Sequence, residues 1–146
     1  MSTIKEFLTQ DHRRCDELFA QMEETAVTSL DDAKVLCREF IDASERHFQM
    51  EEKVMFLEFE AKTGMTQGPT QMMRMEHTQM RALMQDMLRA LEAGNKDKFF
   101  GFSETLMILL QQHNMKEEQM LYTMAQQHLS AESDRIVDMM DSIIVD

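Results

Sequence analysis

His47-Phe48-Gln49-Met50-Glu51-Glu52-Lys53-Val54-Met55-Phe56 aligns without gaps on His113-Asn114-Met115-Lys116-Glu117-Glu118-Gln119-Met120-Leu121-Tyr122, at an offset of 66 residues. Both stretches read His-x-x-x-Glu-Glu, with an aromatic residue five positions after the first Glu. Upstream, Asp11-His12 with later Leu18-Phe19 matches Glu76-His77 with later Leu83-Met84 at an offset of 65. Each half of the chain therefore carries an acid-His pair, a spacer and then His-x-x-x-Glu, an internal repeat. Residues four apart on an α-helix advance about 400° and lie on one face a turn apart. His47 and Glu51 can thus reach one metal, as can His113 and Glu117.

The rest of the sequence supplies the helices that this spacing needs. One Pro and four Gly leave few chain breakers in 146 residues, while Met, Leu, Glu, Gln and Ala, all good helix formers, dominate. The composition predicts an all-α protein, and the length predicts a single domain over 1–146. Helical periodicity runs from about Thr3 to Val27, with Ser2 or Thr3 as N-cap, and resumes near Asp31 after the turn Thr28-Ser29-Leu30. That second helix runs to about Lys62, where Gly64, Gly68 and the sole Pro69 make the longest connection. A third spans about Thr70 to Ala93. The turn Gly94-Asn95-Lys96-Asp97 leads into a fourth, about Lys98 to His128. A short fifth helix capped by Ser130 offers Ile136, Val137, Met139, Met140, Ile143 and Ile144 as an apolar face. Short connections between long helices imply antiparallel neighbours, hence an up-down-up-down four-helix bundle with a C-terminal fifth helix.

Residues at one level of an antiparallel hairpin are equidistant from its turn. The sequence midpoint of His12 and His47 is 29.5, in the first turn, and that of His77 and His113 is 95, in the last. Each hairpin therefore brings its two histidines level. For His47 and His77 the midpoint is 62, slightly ahead of the Gly64–Pro69 loop, an offset that a long loop can absorb.

Four histidines and two glutamates from four helices at one level make a metal site in the core of a bundle, with His12, His47, Glu51, His77, His113 and Glu117 as its ligands. Two His-x-x-x-Glu pairs suggest two metals. Two six-coordinate ions sharing both carboxylates and an oxo or hydroxo bridge would keep about two positions open for an exogenous ligand. Imidazole with carboxylate suits Fe, Mn or Zn, and a site rich in neutral nitrogen favours small anions or reduced oxygen.

The neighbouring features are read more plainly. Glu52 and Glu118 lie five residues past the histidines, about 140° around the helix, which gives them a solvated or supporting role. His128, 15 residues or about 22 Å of helix beyond His113, belongs on the surface. The 17 methionines, spread over all helices, read as core filler. Cys15, one turn after His12, is placed on the pocket wall. It is too far staggered from Cys37 for a disulfide, so both thiols are expected free. Tyr122 and Phe56 are symmetry mates, and Tyr122 reads as a packed aromatic with a wet tip, the alternative being a hydroxyl that hydrogen-bonds a metal-bound oxygen species. No Glu-x-x-His precedes the histidines, so the ferritin-like di-iron pattern fails. No zincin motif, hydrolase elbow or phosphate loop is present.

With Lys plus Arg 15 and Asp plus Glu 27, the net charge of −12 repels phosphate backbones and anionic membranes, so no nucleic acid and no membrane partner is expected. The N-terminal residues Met1 to Glu6 lack the apolar stretch of a signal peptide. The longest apolar run, Leu106 to Leu110, falls far short of the roughly 20 residues of a membrane helix. The expected location is cytoplasmic; the sequence sets no oligomeric state.

These residues resemble the hemerythrin-like family, also called the HHE cation-binding domain. The match covers His12 on the first helix, His47-x-x-x-Glu51 on the second, Glu76-His77 on the third and His113-x-x-x-Glu117 on the fourth. The resemblance implies two non-haem iron ions, bridged by Glu51 and Glu117 and by oxo or hydroxo, with the four histidines completing the coordination. It implies O2 or another small molecule, such as peroxide or nitric oxide, as the partner. Two departures matter. Oxygen-carrying hemerythrins have a further histidine one turn before the third-helix ligand, where this chain has Met73. Their last carboxylate is an aspartate five residues after its histidine, where this chain offers Glu117 at four and Glu118 at five. Internal symmetry selects Glu117. The expected function is oxygen binding or sensing at a di-iron centre. The alternatives are a redox enzyme acting on nitric oxide or peroxide, or an iron-handling protein.

Overall fold

The computed structural model describes residues 2–145; Met1 and Asp146, included in the expected domain, lie outside the described residues. All of its regular structure is helical. Helix α1, Ile4–Ala26, starts in a capping box: the Thr3 hydroxyl accepts from the Glu6 N–H, and the Glu6 carboxylate accepts from the Thr3 N–H, both at 3.1 Å. Helix α2, Leu30–Met50, is capped by Ser29, and a π turn over Glu51–Met55 carries it into α3, Phe56–Thr63. Gly64, at φ +75°, ends α3 in the left-handed conformation that favours glycine. Helix α4, Pro69–Glu92, begins with its proline in the first turn, where the missing N–H costs nothing. Helix α5, Lys96–Lys116, is capped by Asn95, and a second π turn over Glu117–Leu121 leads into α6, Tyr122–Leu129. A single 3₁₀ turn, Ser130–Glu132, precedes α7, Ser133–Asp141.

Helix α1 packs along α2, α4 along α5 and α2 against α4, the expected up-down-up-down bundle. The helix ends predicted from sequence hold to within one or two residues. Within the second and fourth helices, however, the π turns were not foreseen, because apolar spacing is nearly unchanged by one extra residue. In both, the backbone N–H of the aromatic residue bonds the carbonyl of the ligand-motif glutamate five back, Phe56 to Glu51 and Tyr122 to Glu117.

The apolar interior is two cores rather than one. Phe19, Met22, Phe40, Met84 and Phe99 pack at the end bearing the hairpin turns. Ile4, Leu8, Phe56, Phe59 and Leu129 pack at the other, where α7 closes the bundle with Ile136, Val137 and Met140. Burying each such aliphatic or phenyl side chain contributes about 1.5–3 kcal/mol. Between the two cores lies a belt of buried histidine and glutamate.

The fifth helix departs from expectation in detail. Ser130 does not cap it; the 3₁₀ turn intervenes. Met139 and Ile144 are exposed, at 42% and 85%, so the apolar face is narrower than predicted and Ile143 only borders the core. Arg46 fastens the end of α7, donating to the backbone carbonyls of Asp141 at 2.9 Å and Ile143 at 3.3 Å. The methionines also divide: Met50, Met55 and Met84 fill the cores, whereas Met72, Met75, Met115 and Met120 are exposed. Methionine is a good helix former on a surface as well as a filler inside.

Candidate metal centre

All six residues singled out by the repeat converge in the belt. His12 comes from α1, His47 from α2, His77 from α4 and His113 from α5, while Glu51 and Glu117 open the two π turns. Each is buried, none more than 3% exposed. The levelling inferred from the hairpin midpoints is observed, with ring centroids 4.5 Å apart for His12 and His47 and 5.0 Å for His77 and His113. The less exact midpoint of His47 and His77 is absorbed by the Gly64–Pro69 connection, since His77 Nε2 comes within 3.0 Å of Glu51 Oε1.

The six fall into two overlapping groups. His12, His47, Glu51 and Glu117 offer ligand atoms all within 4.8 Å of one another, and so do His77, His113, Glu51 and Glu117. Both glutamates belong to both groups. Two nitrogens and two carboxylate oxygens per group form a donor set suited to a divalent or trivalent first-row ion.

Each of these four histidines is aimed from behind. Its Nδ1–H donates to a carboxylate: His12 to Glu118 at 2.8 Å, and His47 to Asp11, His77 to Glu52 and His113 to Glu76, each at 2.7 Å. This leaves each Nε2 facing the centre, the atom a metal would take once it is deprotonated. Basic side chains hold these carboxylates in turn: Arg13 on Glu118, Arg14 on Asp11, Arg81 on Glu52 and Lys116 on Glu76. The four arms obey the sequence repeat, since Asp11 is the mate of Glu76 and Glu52 that of Glu118. Sequence reasoning paired the acids but assigned Asp11 and Glu76 no role. Their recurrence at the same offset as the histidines was the signal.

The electrostatics follow from the packing. Burial alone would depress His47, His77 and His113, but the charges of Glu51 and Glu117 and the Nδ1 carboxylates raise all three, His113 to about 9. Burial likewise opposes ionisation of Glu51, yet His47 and His77 hold it well below the usual carboxylate range. Glu52, against its partial burial, is brought down to about 2 by hydrogen bonds from His77 and Arg81. Without a metal, protons carry the positive charge that this belt demands.

No well-aligned hydrogen bond reaches Glu51 Oε1, His77 Nε2, His113 Nε2 or Glu117 Oε2, all buried and all in the second group, although His77 Nε2 and Glu51 Oε1 lie 3.0 Å apart. Orphaned buried polar atoms are costly. Four of them converging on one point fit a cation there.

Tyr122 departs from its expected role. Its hydroxyl is not wet: the residue is fully buried, and the oxygen lies against Glu51, Glu117, His12 and His47. In a plain α-helix Tyr122 would point about 140° away from Glu117. The π turn removes that phase difference, which sequence periodicity could not show. Cys15 lines a cavity of about 20 Å³ beside His12 and His47, as expected, and both cysteines are free. His128 is exposed and takes no part in the centre.

Comparison with curated proteins and with solved structures gives no match. The model of the Hemerythrin HHE cation binding domain family, however, matches residues 3–125, a span that contains all four histidines, both glutamates and their carboxylate partners. With a match over most of its length, an all-helical bundle and His/Glu groups able to hold a metal at its core, this chain belongs to the hemerythrin HHE cation-binding domain family.

Proposed function

We propose that the chain, acting as one domain, is a non-haem di-iron protein that binds O2 or a related small oxygen species, as an oxygen-binding or sensing protein. The observation that carries this reading is the sharing of Glu51 and Glu117 between two N₂O₂ donor groups. A mononuclear site would need neither the second pair of histidines nor the duplicated carboxylate arms. In this reading His12 and His47 hold one ion, His77 and His113 the other, and the two glutamates bridge them. Two iron ions so placed supply two electrons and a concentrated positive charge to a small ligand.

The protein's own contribution is positioning and exclusion. Asp11, Glu52, Glu76 and Glu118 fix the imidazole tautomers and orientations. Phe48 and Phe56 lie parallel to the His77 ring, at 4.2 and 5.9 Å, and the two apolar cores keep bulk water from the belt. No helix among the described residues is long and apolar enough to cross a membrane. The two free thiols support a reducing, cytoplasmic setting.

The test is to load the protein with Fe(II) without air and follow its optical spectrum as O2 is admitted and then withdrawn. A reversible change supports oxygen binding. Irreversible oxidation turns the reading to a redox enzyme acting on nitric oxide or peroxide, or to iron handling, and failure to hold iron defeats it.

A further inference from the structure

The hydroxyl oxygen of Tyr122 sits among the four donor atoms of the first group. It lies 2.5 Å from Glu51 Oε2, 3.0 Å from Glu117 Oε1, 3.1 Å from His12 Nε2 and 3.2 Å from His47 Nε2. A phenol has one proton to give. The Nδ1–H groups of His12 and His47 are committed to Glu118 and Asp11, so the two Nε2 atoms and the two carboxylate oxygens are what meet the phenol oxygen, and all four are atoms of a kind that binds a metal. Tyr122 is fully buried, so these groups face one another rather than water. A cation held among them has the Tyr122 oxygen among its nearest atoms.

We propose that Tyr122 is itself a metal ligand, giving its phenolate oxygen to the ion held by His12, His47, Glu51 and Glu117. The inference rests on the dinuclear reading above. On metal uptake the Tyr122 O–H bond breaks, its electron pair stays on oxygen as the new metal–oxygen bond, and the proton leaves for solvent. No oxidant or reductant takes part.

The backbone is built for this role. Glu117 and Tyr122 are five residues apart, and the i→i+5 bond from the Tyr122 N–H to the Glu117 carbonyl stacks them on one face. The other half of the repeat has the same π turn but presents Phe56, a ring stacked on His77 with no donor atom. The two metal positions are therefore unlike. One has two imidazoles and three anionic oxygens, the other two imidazoles and two. An added anionic ligand favours ferric over ferrous iron by simple Coulomb attraction.

Tyr122 is the sole tyrosine of the chain, so the test is specific. The full chain is loaded with Fe(II) without air, oxidised with ferricyanide, and its iron content, visible spectrum and resonance Raman spectrum are recorded. Expected are a visible phenolate-to-ferric charge-transfer band and tyrosine ring modes enhanced within it. Those modes shift when the protein is grown on ring-deuterated tyrosine, and band and modes vanish in Tyr122→Phe while iron content is kept. Iron-loaded wild type without the band, ring modes insensitive to deuteration, or an unchanged band in Tyr122→Phe overturns the assignment while sparing the dinuclear reading. A wild type that holds no iron overturns both. The deuteration arm needs no variant, so a poorly folding Tyr122→Phe does not rescue the proposal.

Discussion

Filling the metal centre must expel protons, and the structure sets the scale. In the metal-free protein His47, His77 and His113 are all raised; burial opposes their charge, but Glu51, Glu117 and the Nδ1 carboxylates outweigh it. With His113 at about 9, its ring is protonated in roughly 99 molecules of 100 at pH 7. A metal takes only the neutral Nε2, so each of these histidines gives up on ligation whatever proton its Nε2 carries. His113 alone releases about one proton per chain at pH 7, and the raised His47 and His77 add to it, as does Tyr122 if it ligates. Each proton displaced makes the overall constant for filling the site rise about tenfold between pH 7 and 8. Zinc, which undergoes no redox change, is the probe: calorimetric titration in buffers of different ionisation enthalpy counts the protons. Binding that is independent of pH and of buffer would refute the reasoning. Stability of the metal-free protein runs the other way. A raised histidine stabilises the fold fully below pH 6.5 and loses that contribution as pH climbs through its folded value, so the His113 share of about 3 kcal/mol, from a shift of 6.5 to about 9, fades toward pH 9. Glu52, lowered to about 2, contributes above pH 4.5 and loses that as pH falls toward 2.

Three further outcomes are expected. His113→Ala lowers bound metal sharply by atomic absorption, whereas His128→Ala, altering an exposed ring, leaves it unchanged; equal content in the two would sink the ligand assignment. Glu118→Gln removes the charge behind His12 and weakens metal affinity about 10- to 100-fold in a competition titration, while an affinity equal to wild type would show that the carboxylate arms are ornamental. Phe59→Ala, at a fully buried position in the core closed by α7, costs about 3–5 kcal/mol in urea unfolding, and a loss under about 1 kcal/mol would contradict the packing described.

Much of this is legible in the sequence, and what is not has physical causes. The His-x-x-x-Glu repeat is legible because helical geometry converts a spacing of four into one face, and the hairpin midpoints because rise per residue is constant. The π turns escaped because a single extra residue shifts a helix face without disturbing its hydrophobic pattern. The way Tyr122 reaches the centre escaped with them: in an unbroken helix it points away from Glu117, and only the i→i+5 bond returns it. Asp11 and Glu76 were visible as repeated acids, but nothing local says that each holds the histidine of the neighbouring helix, 36 and 37 residues away. Met139 and Ile144 show the opposite failure, where an apolar residue at the right period stays exposed.

The central claim is that Glu51 and Glu117 join two ions into one centre. Its most direct test is iron stoichiometry taken together with electron paramagnetic resonance of the oxidised protein. The account predicts two irons per chain with no ferric signal, because two ferric ions bridged by shared carboxylates couple antiferromagnetically. One iron per chain, or two giving the signal of isolated high-spin ferric ions, would contradict it.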